Sequence, residues 1–477
     1  MAAPSIFQRL RRAITGAPAA RAYAAAAGGR LNADWIAGRQ NSANAEIGPD
    51  IHTLRARSRQ LERDSDYVRA WLRLLDNNIL GADGLKLQSK VRNAAGDLDS
   101  AANDAVEAAW LDFGHAGSCD TTGTLNWRDA QGLILRSVAR DGGALIRLVR
   151  GADTRHRFQI SILDIDALDV EHNGTTAAGN VIKFGVELDA WQRPVAYYIT
   201  TTNGTTLRRE RVSAREIIHA YRPDRPGQLI GAPWSCSAMQ SIKMLAGYQE
   251  AELVSARIGA CRGGFYTRNE QGEGFTGETT DGGQIVDDLS PGQFVQLPNG
   301  VGVQSFDVSH PNANYDGYTK AILRSIATGL GVSYASLAGD LTSVNFSSIR
   351  AGVLEERETF KTLQAWFAAH VARPIFAAWL EMATLAGAVI VTAPASRQDF
   401  SWIGRRWPWV DPLKDITATA LAIKSGLRSH RQAIAEAGGD VYETFEQLAE
   451  DKKLAATLGL TLADLAPVPA DLTAADE

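Results

Sequence analysis

Gly331-Val332-Ser333-Tyr334-Ala335-Ser336-Leu337-Ala338-Gly339-Asp340-Leu341-Thr342-Ser343-Val344-Asn345-Phe346-Ser347-Ser348-Ile349-Arg350 is the stretch on which the reading of this 477-residue chain turns. It holds no proline and is dense in hydroxyls and amides. Upstream, Tyr315, Tyr318, Ile322, Ile326 and Leu330 recur at spacings of three and four; downstream, Ile349, Val353, Phe360, Leu363, Phe367 and Val371 do the same. That period predicts a helix on each side. Ser347 or Asn345 is the expected N-cap of the second, its side-chain oxygen taking a backbone N–H that the first turn leaves without a partner. The unit therefore reads helix, tight polar loop, long helix, and taken alone it is a structural corner.

The particular residues say more. Gly-Val-Ser-Tyr at 331–334, followed by Leu337, Asp340 and Asn345-Phe346-Ser347-Ser348-x-Arg350, closely resembles the signature of bacteriophage portal proteins of the lambda-like family. In that family the loop is the tunnel loop, which lines the narrowest part of a DNA channel. The resemblance thus implies channel residues at Asp340, Thr342, Ser343, Asn345, Phe346, Ser347, Ser348 and Arg350. Two departures stand out: Phe346 where the family usually has Tyr, and Ala335 where an acidic residue is common. Neither alters the loop's length.

Bulk composition narrows the classes. The length suggests two or three domains, and 45% hydrophobic with 22% charged residues is the make-up of a soluble globular protein. A net charge of −5 and a pI near 6.0 argue against a tight nucleic-acid binder, which normally carries a basic patch. A channel through which DNA slides has the opposite need, since strong phosphate contacts would brake it.

Cys119, Cys236 and Cys261 are odd in number and far apart, giving no disulfide framework and favouring a reducing, cytoplasmic origin. His115, Cys119 and Asp120 suggest half a metal site, but no second ligand pair follows, so no metal is expected. Arg9, Arg11 and Arg12 precede an alanine-rich stretch broken by Arg21, which is not a signal peptide. Ala365 to Val391 is the most apolar segment, yet it contains His370, Arg373, Pro374 and Glu381. Charges there would be costly in lipid, so it reads as a buried helix pair broken near Pro374. There is no phosphate loop, His-Glu-x-x-His, Gly-x-Ser-x-Gly or paired-cysteine knuckle, so neither catalysis nor a cofactor is expected. Glu355-Glu356 reads as solvated charge on a helix.

In chain order, residues 1–50 read as a flexible arm, or one that orders only against a neighbour. Helix is expected from Ile51 to Leu75, and the basic run Leu54-Arg55-Ala56-Arg57-Ser58-Arg59 reads as a solvated face; such a helix is also recurrent near the start of lambda-like portals. A strand follows at Leu85–Leu87, then helices at Ala101–Phe113 and Asn126–Arg140. Strands are expected at Ala144–Val149, Phe158–Leu163, Gly185–Leu188 and Val195–Ile199, with Gly, Asn and Pro between them.

His219, Asp224 and Arg225 form a conceivable catalytic group, but His219 closes a strand with no nucleophile nearby and reads as structural. Ile217 to Trp234 again matches the portal family. Ser237 to Cys261 is a long helix with a small and apolar face: Ala238, Ile242, Leu245, Ala246, Leu253, Ala256 and Ala260. Such a face lets helices approach closely. Between Gly263 and Pro311 lies a β-rich insertion with strand candidates at Phe294–Leu297 and Val301–Val303. Phe400-Ser401-Trp402 and Trp407-Pro408-Trp409 are aromatics expected to pack against a helix, before short helices at Leu413–Lys424, His430–Ala437 and Val441–Leu454.

The fold class expected is α+β, of portal-subunit type. The resemblance divides it into an arm (1–50), an α/β wing (51–234), a first stem helix (235–262), a clip (263–310), a second stem helix (311–331), the tunnel loop (332–348), a long helix with an apolar helix returning to the wing (349–392), and a helical crown with a frayed tail (393–477). It implies a ring, a dodecamer in the virion, at one capsid vertex, built in the host bacterial cytoplasm. The expected partners are the terminase large subunit, capsid or scaffold proteins, neck or tail-completion proteins, and double-stranded DNA passing without sequence specificity; no membrane is involved. The alternatives are a hydrolase built around His219 and Asp224, and a non-viral oligomeric scaffold.

Overall fold

The computed structural model describes residues 41–93, 95–203, 206–260, 264–268, 301–305, 314–342, 346–390, 399–407, 412–437, 439 and 441–457. A short helix α1 (Ala43–Ile47) starts at Ser42, whose Oγ accepts the Ala45 N–H. Where one helix was expected over 51–75 there are two, α2 (Ile51–Asp64) and α3 (Asp66–Leu75), parted at the extended Ser65. A π-helical turn (Asp76–Leu80) ends α3 at Gly81, and β1 (Lys86–Ser89) follows. Helix α4 (Ser100–Phe113) is capped by Asp99 and α5 (Trp127–Asp141) by Asn126. Each cap accepts a first-turn N–H with its side-chain oxygen.

The chain then turns to strands. Gly142, left-handed at φ 84°, ends α5 so tightly that β2 (Ala144–Arg150) starts two residues later. With β3 (Phe158–Leu163) and β9 (Ile217–Ala220), β2 makes a three-stranded antiparallel sheet in the order β3-β2-β9. Between β3 and β9 an antiparallel meander is inserted: β4 (Gly174–Thr175), β5 (Val181–Lys183), β6 (Val186–Leu188), β7 (Pro194–Asn203) and β8 (Thr206–Ser213). Strand β8 has no counterpart in the sequence reading. Its Arg209 and Arg211 hide the alternation, and they are paired by Asp169 and Glu187 from elsewhere in the fold.

Helix α6 (Met239–Ala260) leads to an antiparallel pair, β10 (Gly264–Arg268) with β11 (Val301–Ser305), and the chain returns through α7 (Tyr315–Leu330). A short helix α8 (Tyr334–Ala338) follows, then α9 (Phe346–Phe367), a π-helical turn (Ala368–Ala372) and α10 (Arg373–Leu385) with Pro374 in its first turn. The apolar segment is thus a buried helix pair joined at Pro374, as its charges required. Phe400 to Ile403 forms β12, antiparallel to β1. Helices α11 (Pro412–Lys424), α12 (His430–Ala437) and α13 (Val441–Thr457) complete the described chain.

The main core gathers α3, α4, α5, β2, β3, the start of α6, the end of α7, α9 and α10. Trp110 sits at its centre, edge-on to Trp127, Phe376 and Trp379 at 5.0–5.3 Å between ring centroids, an arrangement favoured by the ring quadrupoles. A second cluster, including Ile51, Leu145, Val186, Tyr197 and Ile230, packs beneath the meander. Trp402 and Trp407 pack against the main core and Trp407 lies over Phe360, the helix packing expected of them. Trp409 and Phe294–Leu297 lie outside the described residues.

Two helix faces depart from expectation. Ala238, just before α6, and Ile242 and Leu245 on it are buried, but Ala246 and Leu253 are exposed. On α7, Leu323, Ile326, Ala327 and Leu330 face the core whereas Tyr318 stands out. The distal halves of both helices therefore carry apolar side chains that the described residues leave exposed.

Candidate functional site

The corner between α7 and α9 begins with Gly331, which takes the left-handed φ of 70° and lets Val332 N–H reach back to the Ala327 carbonyl. Val332 and Leu337 are then buried, and the Trp71 indole donates to the Leu330 carbonyl at 3.1 Å. These contacts seat α8 on the core. Ser333 is its N-cap, accepting the Ser336 N–H at 3.1 Å. Glu356 of α9 clasps the same cap: it accepts the Ser333 N–H at 2.9 Å and the Ser336 hydroxyl at 2.8 Å. Glu356 is not the solvated charge expected of it, although its neighbour Glu355 is exposed.

After α8 ends at the left-handed Gly339, Asp340 gathers donors. Its carboxylate accepts from Tyr334 OH at 2.8 Å, Thr342 N–H at 3.0 Å and Thr342 Oγ1 at 2.6 Å, and lies 3.7 Å from Lys320 Nζ of α7. The Thr342 hydrogen bonds, more than the lysine, hold this carboxyl well below the usual carboxylate range. Arg324 lies over the Tyr334 ring at 5.4 Å. Among the described residues, Ser333, Tyr334, Ser336, Asp340 and Glu356 are engaged with one another or with Thr342 in shaping the corner, and Leu341 and Thr342 are exposed, Leu341 at 62%.

Among the expected channel residues, Asp340 is the pinned base of this tip and Thr342 is exposed on it. Ser343 and Asn345 lie outside the described residues. Phe346, Ser347, Ser348 and Arg350 are not in a loop: α9 already begins at Phe346, which also removes Ser347 as its N-cap. The expected loop over 332–348 is thus shortened at both ends by helix. Lys320 and Trp71 were not anticipated, and Glu356 was expected only as solvated charge; Ser333-x-x-Ser336 carried a capping signal, but its carboxylate partner lies 23 residues away.

The other candidates resolve as structure. His219 lies in β9 with its ring against Tyr221 at 4.5 Å and Tyr197 at 5.8 Å. Burial, with Arg55 adding to it, pushes its pKa down to about 3. Asp224 is exposed on the next turn, and among the described residues no hydrogen bond joins the two. Cys119 is buried and its thiol is pushed up to about 12 by desolvation, while Asp120 accepts the Thr122 and Leu125 N–H groups. Among the described residues no group of three or more His, Cys, Asp or Glu gathers as a metal site, and no helix is long and apolar enough to cross a membrane.

The basic run on α2 is a correction. Arg55 is only 2% exposed and contacts Asp166 at 3.1 Å. Arg59 binds Asp141 and Asp164, both at 2.8 Å, and Asp166 at 2.7 Å, while Arg140 joins Asp141 to Glu62. Only Arg57 of this trio is solvated, because positions 55 and 59 share the inward face of the helix.

Known proteins share this chain's sequence over most of its length. The profile of the family described as phage portal protein, lambda family, matches residues 28–364. The chain is 31% identical over 448 residues to the probable portal protein of Halomonas phage phiHAP-1, covering 90% of this chain and 86% of that one. It is 24% identical to portal protein B of Escherichia phage lambda, covering 85% and 84%. Among solved structures it is similar to a chain in the neck of an empty gene transfer agent particle computed with C6 symmetry, at TM-score 0.47 and 14% identity, covering 86% of this chain and 94% of that one. The chain belongs to the lambda family of phage portal proteins.

Proposed function

We propose that this chain is a portal-vertex subunit that closes into a ring, a dodecamer in the virion, and serves as a passive conduit for double-stranded DNA during packaging and ejection. The observation that carries the reading is the corner: a tip held at its base by Asp340, Tyr334 and Lys320 and presenting Leu341 and Thr342 outward. Such a tip meets a duplex without a cationic clamp, as a sliding contact requires. On this reading 51–234 is the wing, 235–262 and 311–331 the stem, 263–310 the clip, and 393–477 the crown. The clip docks the terminase large subunit and later the neck or tail proteins, and scaffold or capsid proteins surround the wing.

The ring explains the distal stem. Met244, Leu253, Val254 and Tyr318 are 66%, 63%, 46% and 52% exposed, apolar surface that a head-to-tail neighbour in a closed ring would cover. His219, neutral and walled by tyrosines, gives the hydrolase alternative nothing to work with.

Negative-stain electron microscopy of the purified chain tests the ring: annuli with a hole wide enough for a duplex are expected, and a uniform monomer in the presence of its scaffold would refute it. Deleting residues 340–345 should spare the annuli but abolish DNA packaging or retention. Full packaging by that deletion would remove the tip from the mechanism.

A further inference from the structure

The turn that leads into β1, Gly81-Ala82-Asp83-Gly84, faces the residues that leave β12, Gly404-Arg405-Arg406, across a cavity of about 320 Å³. Gly81 and Gly84 both take a positive φ, 70° and 73°. A Cβ on residue 81 would meet the Arg405 side chain at 3.0 Å, so glycine lets the aliphatic stem of Arg405 lie on the turn. Gln131, wholly buried, holds the far end, its Oε1 accepting the Leu85 N–H at 2.9 Å. Among the described residues, the Ala82 and Gly84 N–H groups find no acceptor.

Lys86, Arg405 and Arg406 border this cavity against one carboxylate, Asp83, which Lys86 meets at 2.9 Å; the rest of its lining is uncharged. Arg405 donates only to neutral oxygens, the Asn77 carbonyl and Asn78 Oδ1. Arg406 forms no ion pair among the described residues, and its Nε is buried without an acceptor. Arg357 feels the crowding: burial first, then Arg405, lowers its pKa, with Asp415 opposing them. Unmatched like charges beside free N–H groups are costly until an anion joins them, and a turn that presents its main-chain N–H groups is a ready seat for one.

We propose that this turn binds a phosphate dianion, presented as the free ion or as a terminal phosphate monoester of a nucleic acid. Three cations against one carboxylate leave two charges unmatched, close to the charge of a phosphate near neutral pH. Arg406 supplies a planar fork that fits phosphate oxygens, Lys86 and Arg405 add charge, and the Ala82 and Gly84 N–H groups take the remaining lone pairs. Asp83 competes for Lys86 and so weakens the site. A phosphodiester of a nucleic-acid backbone carries a single charge and is the poorer match. The proposal does not rest on the DNA-conduit reading.

Sub-second hydrogen exchange at the Ala82 and Gly84 amides of the full chain, read by mass spectrometry, makes the test. Millimolar inorganic phosphate, against chloride at equal ionic strength, should slow exchange there by about tenfold. Lys86→Gln with Arg406→Gln should remove the effect, and Asp83→Asn, which frees Lys86, should reach the same protection at several-fold lower phosphate. Melting temperatures in chloride confirm that each variant is folded. A short duplex with 5′-phosphates, set against the same duplex with 5′-hydroxyls, separates the sources: protection by the first alone assigns a nucleic-acid end, and protection by inorganic phosphate alone assigns the free ion. The proposal is overturned by no phosphate effect, by an effect that survives in the Lys86→Gln, Arg406→Gln variant, or by weaker binding in Asp83→Asn. Equal protection by the two duplexes, or amides already protected in chloride because the cavity is closed, would overturn it as well.

Discussion

Arg59 binds two carboxylates at the same distance, 2.8 Å to Asp141 and 2.8 Å to Asp164, but Asp141 is 2% exposed and Asp164 is 57% exposed. The pair allows burial to be separated from geometry. In Asp141→Asn, an NH2 group replaces a carboxylate oxygen that now receives Arg59 or Arg140, setting donor against donor in a place water does not reach. Removing one member of a buried ion pair costs about 3–5 kcal/mol; the partner guanidiniums are 26% and 22% exposed and recover part of their hydration, so about 3 kcal/mol is expected. Asp164→Asn gives up a surface contact worth less than about 1 kcal/mol. With about 2.1 cal/mol/K of unfolding entropy per residue, those costs shift the melting temperature of a 477-residue chain unfolding as one unit by about 3 °C against less than about 1 °C. Thermal unfolding of the two variants, followed by tryptophan fluorescence of the core, makes the comparison. An Asp164→Asn loss equal to or larger than that of Asp141→Asn would refute the argument that burial, not contact distance, sets the energy here.

Gly231 and Gly142 pass so closely that a Cβ on residue 231 would overlap the Gly142 carbonyl oxygen and press on the Tyr221 Cβ; Gly231→Ala should destabilise by about 3 kcal/mol or more, read as soluble yield and melting temperature. Hydrogen bonds from Arg211, with Asn180 and Tyr198 assisting, push the Glu187 carboxyl down to about 2 from its ordinary 4.5. Its contribution is therefore present above about pH 4.5 and lost as pH falls toward 2, and Glu187→Gln should flatten the stability profile across that window. Glu356→Gln weakens the charged clasp on α8 by about 1.5 kcal/mol, so exchange at the Ser333 amide should rise about tenfold while the global melting temperature stays nearly fixed.

The helices were legible because their apolar period runs for many residues, and so was the change from one helix to the next near Pro374, which is local chemistry. What the sequence hid is what depends on a distant partner. Arg55 and Arg59 read as solvated because their acids stand at 141, 164 and 166, and only the fold closes that interval. Strand β8 has no counterpart in the sequence reading for the same reason, its arginines being matched by Asp169 and Glu187. At the corner, the run from Gly331 to Asp340 was recognisable, but Glu356 and Lys320, which hold it, lie on the flanking helices. Of the two N-caps expected for α9, Ser347 would start it at Ser348 and Asn345 at Phe346; it starts at Phe346, with Ser347 inside the helix.

The π-helical turn at Ala368–Ala372 sets the rotational phase of α10 relative to α9. Leu363, Phe367, Val371, Ile375, Trp379 and Ala383 are all buried, at a constant spacing of four. In an uninterrupted α-helix each such step advances about 40° around the axis, so five steps would wind the stripe about 200° and carry Trp379 toward solvent. One extra residue in a wider turn winds the stripe back by about 100°, leaving a face narrow enough to lie on a single core. Deleting one residue between Ala368 and Ala372 would let the turn close as ordinary α-helix, and because the lost residue's step of about 100° equals what the wide turn winds back, α10 would keep its phase. Phe376 and Trp379 would still face Trp110, whereas adding one residue there would turn them about 100° away, so the register of the turn, more than its composition, is what the core depends on.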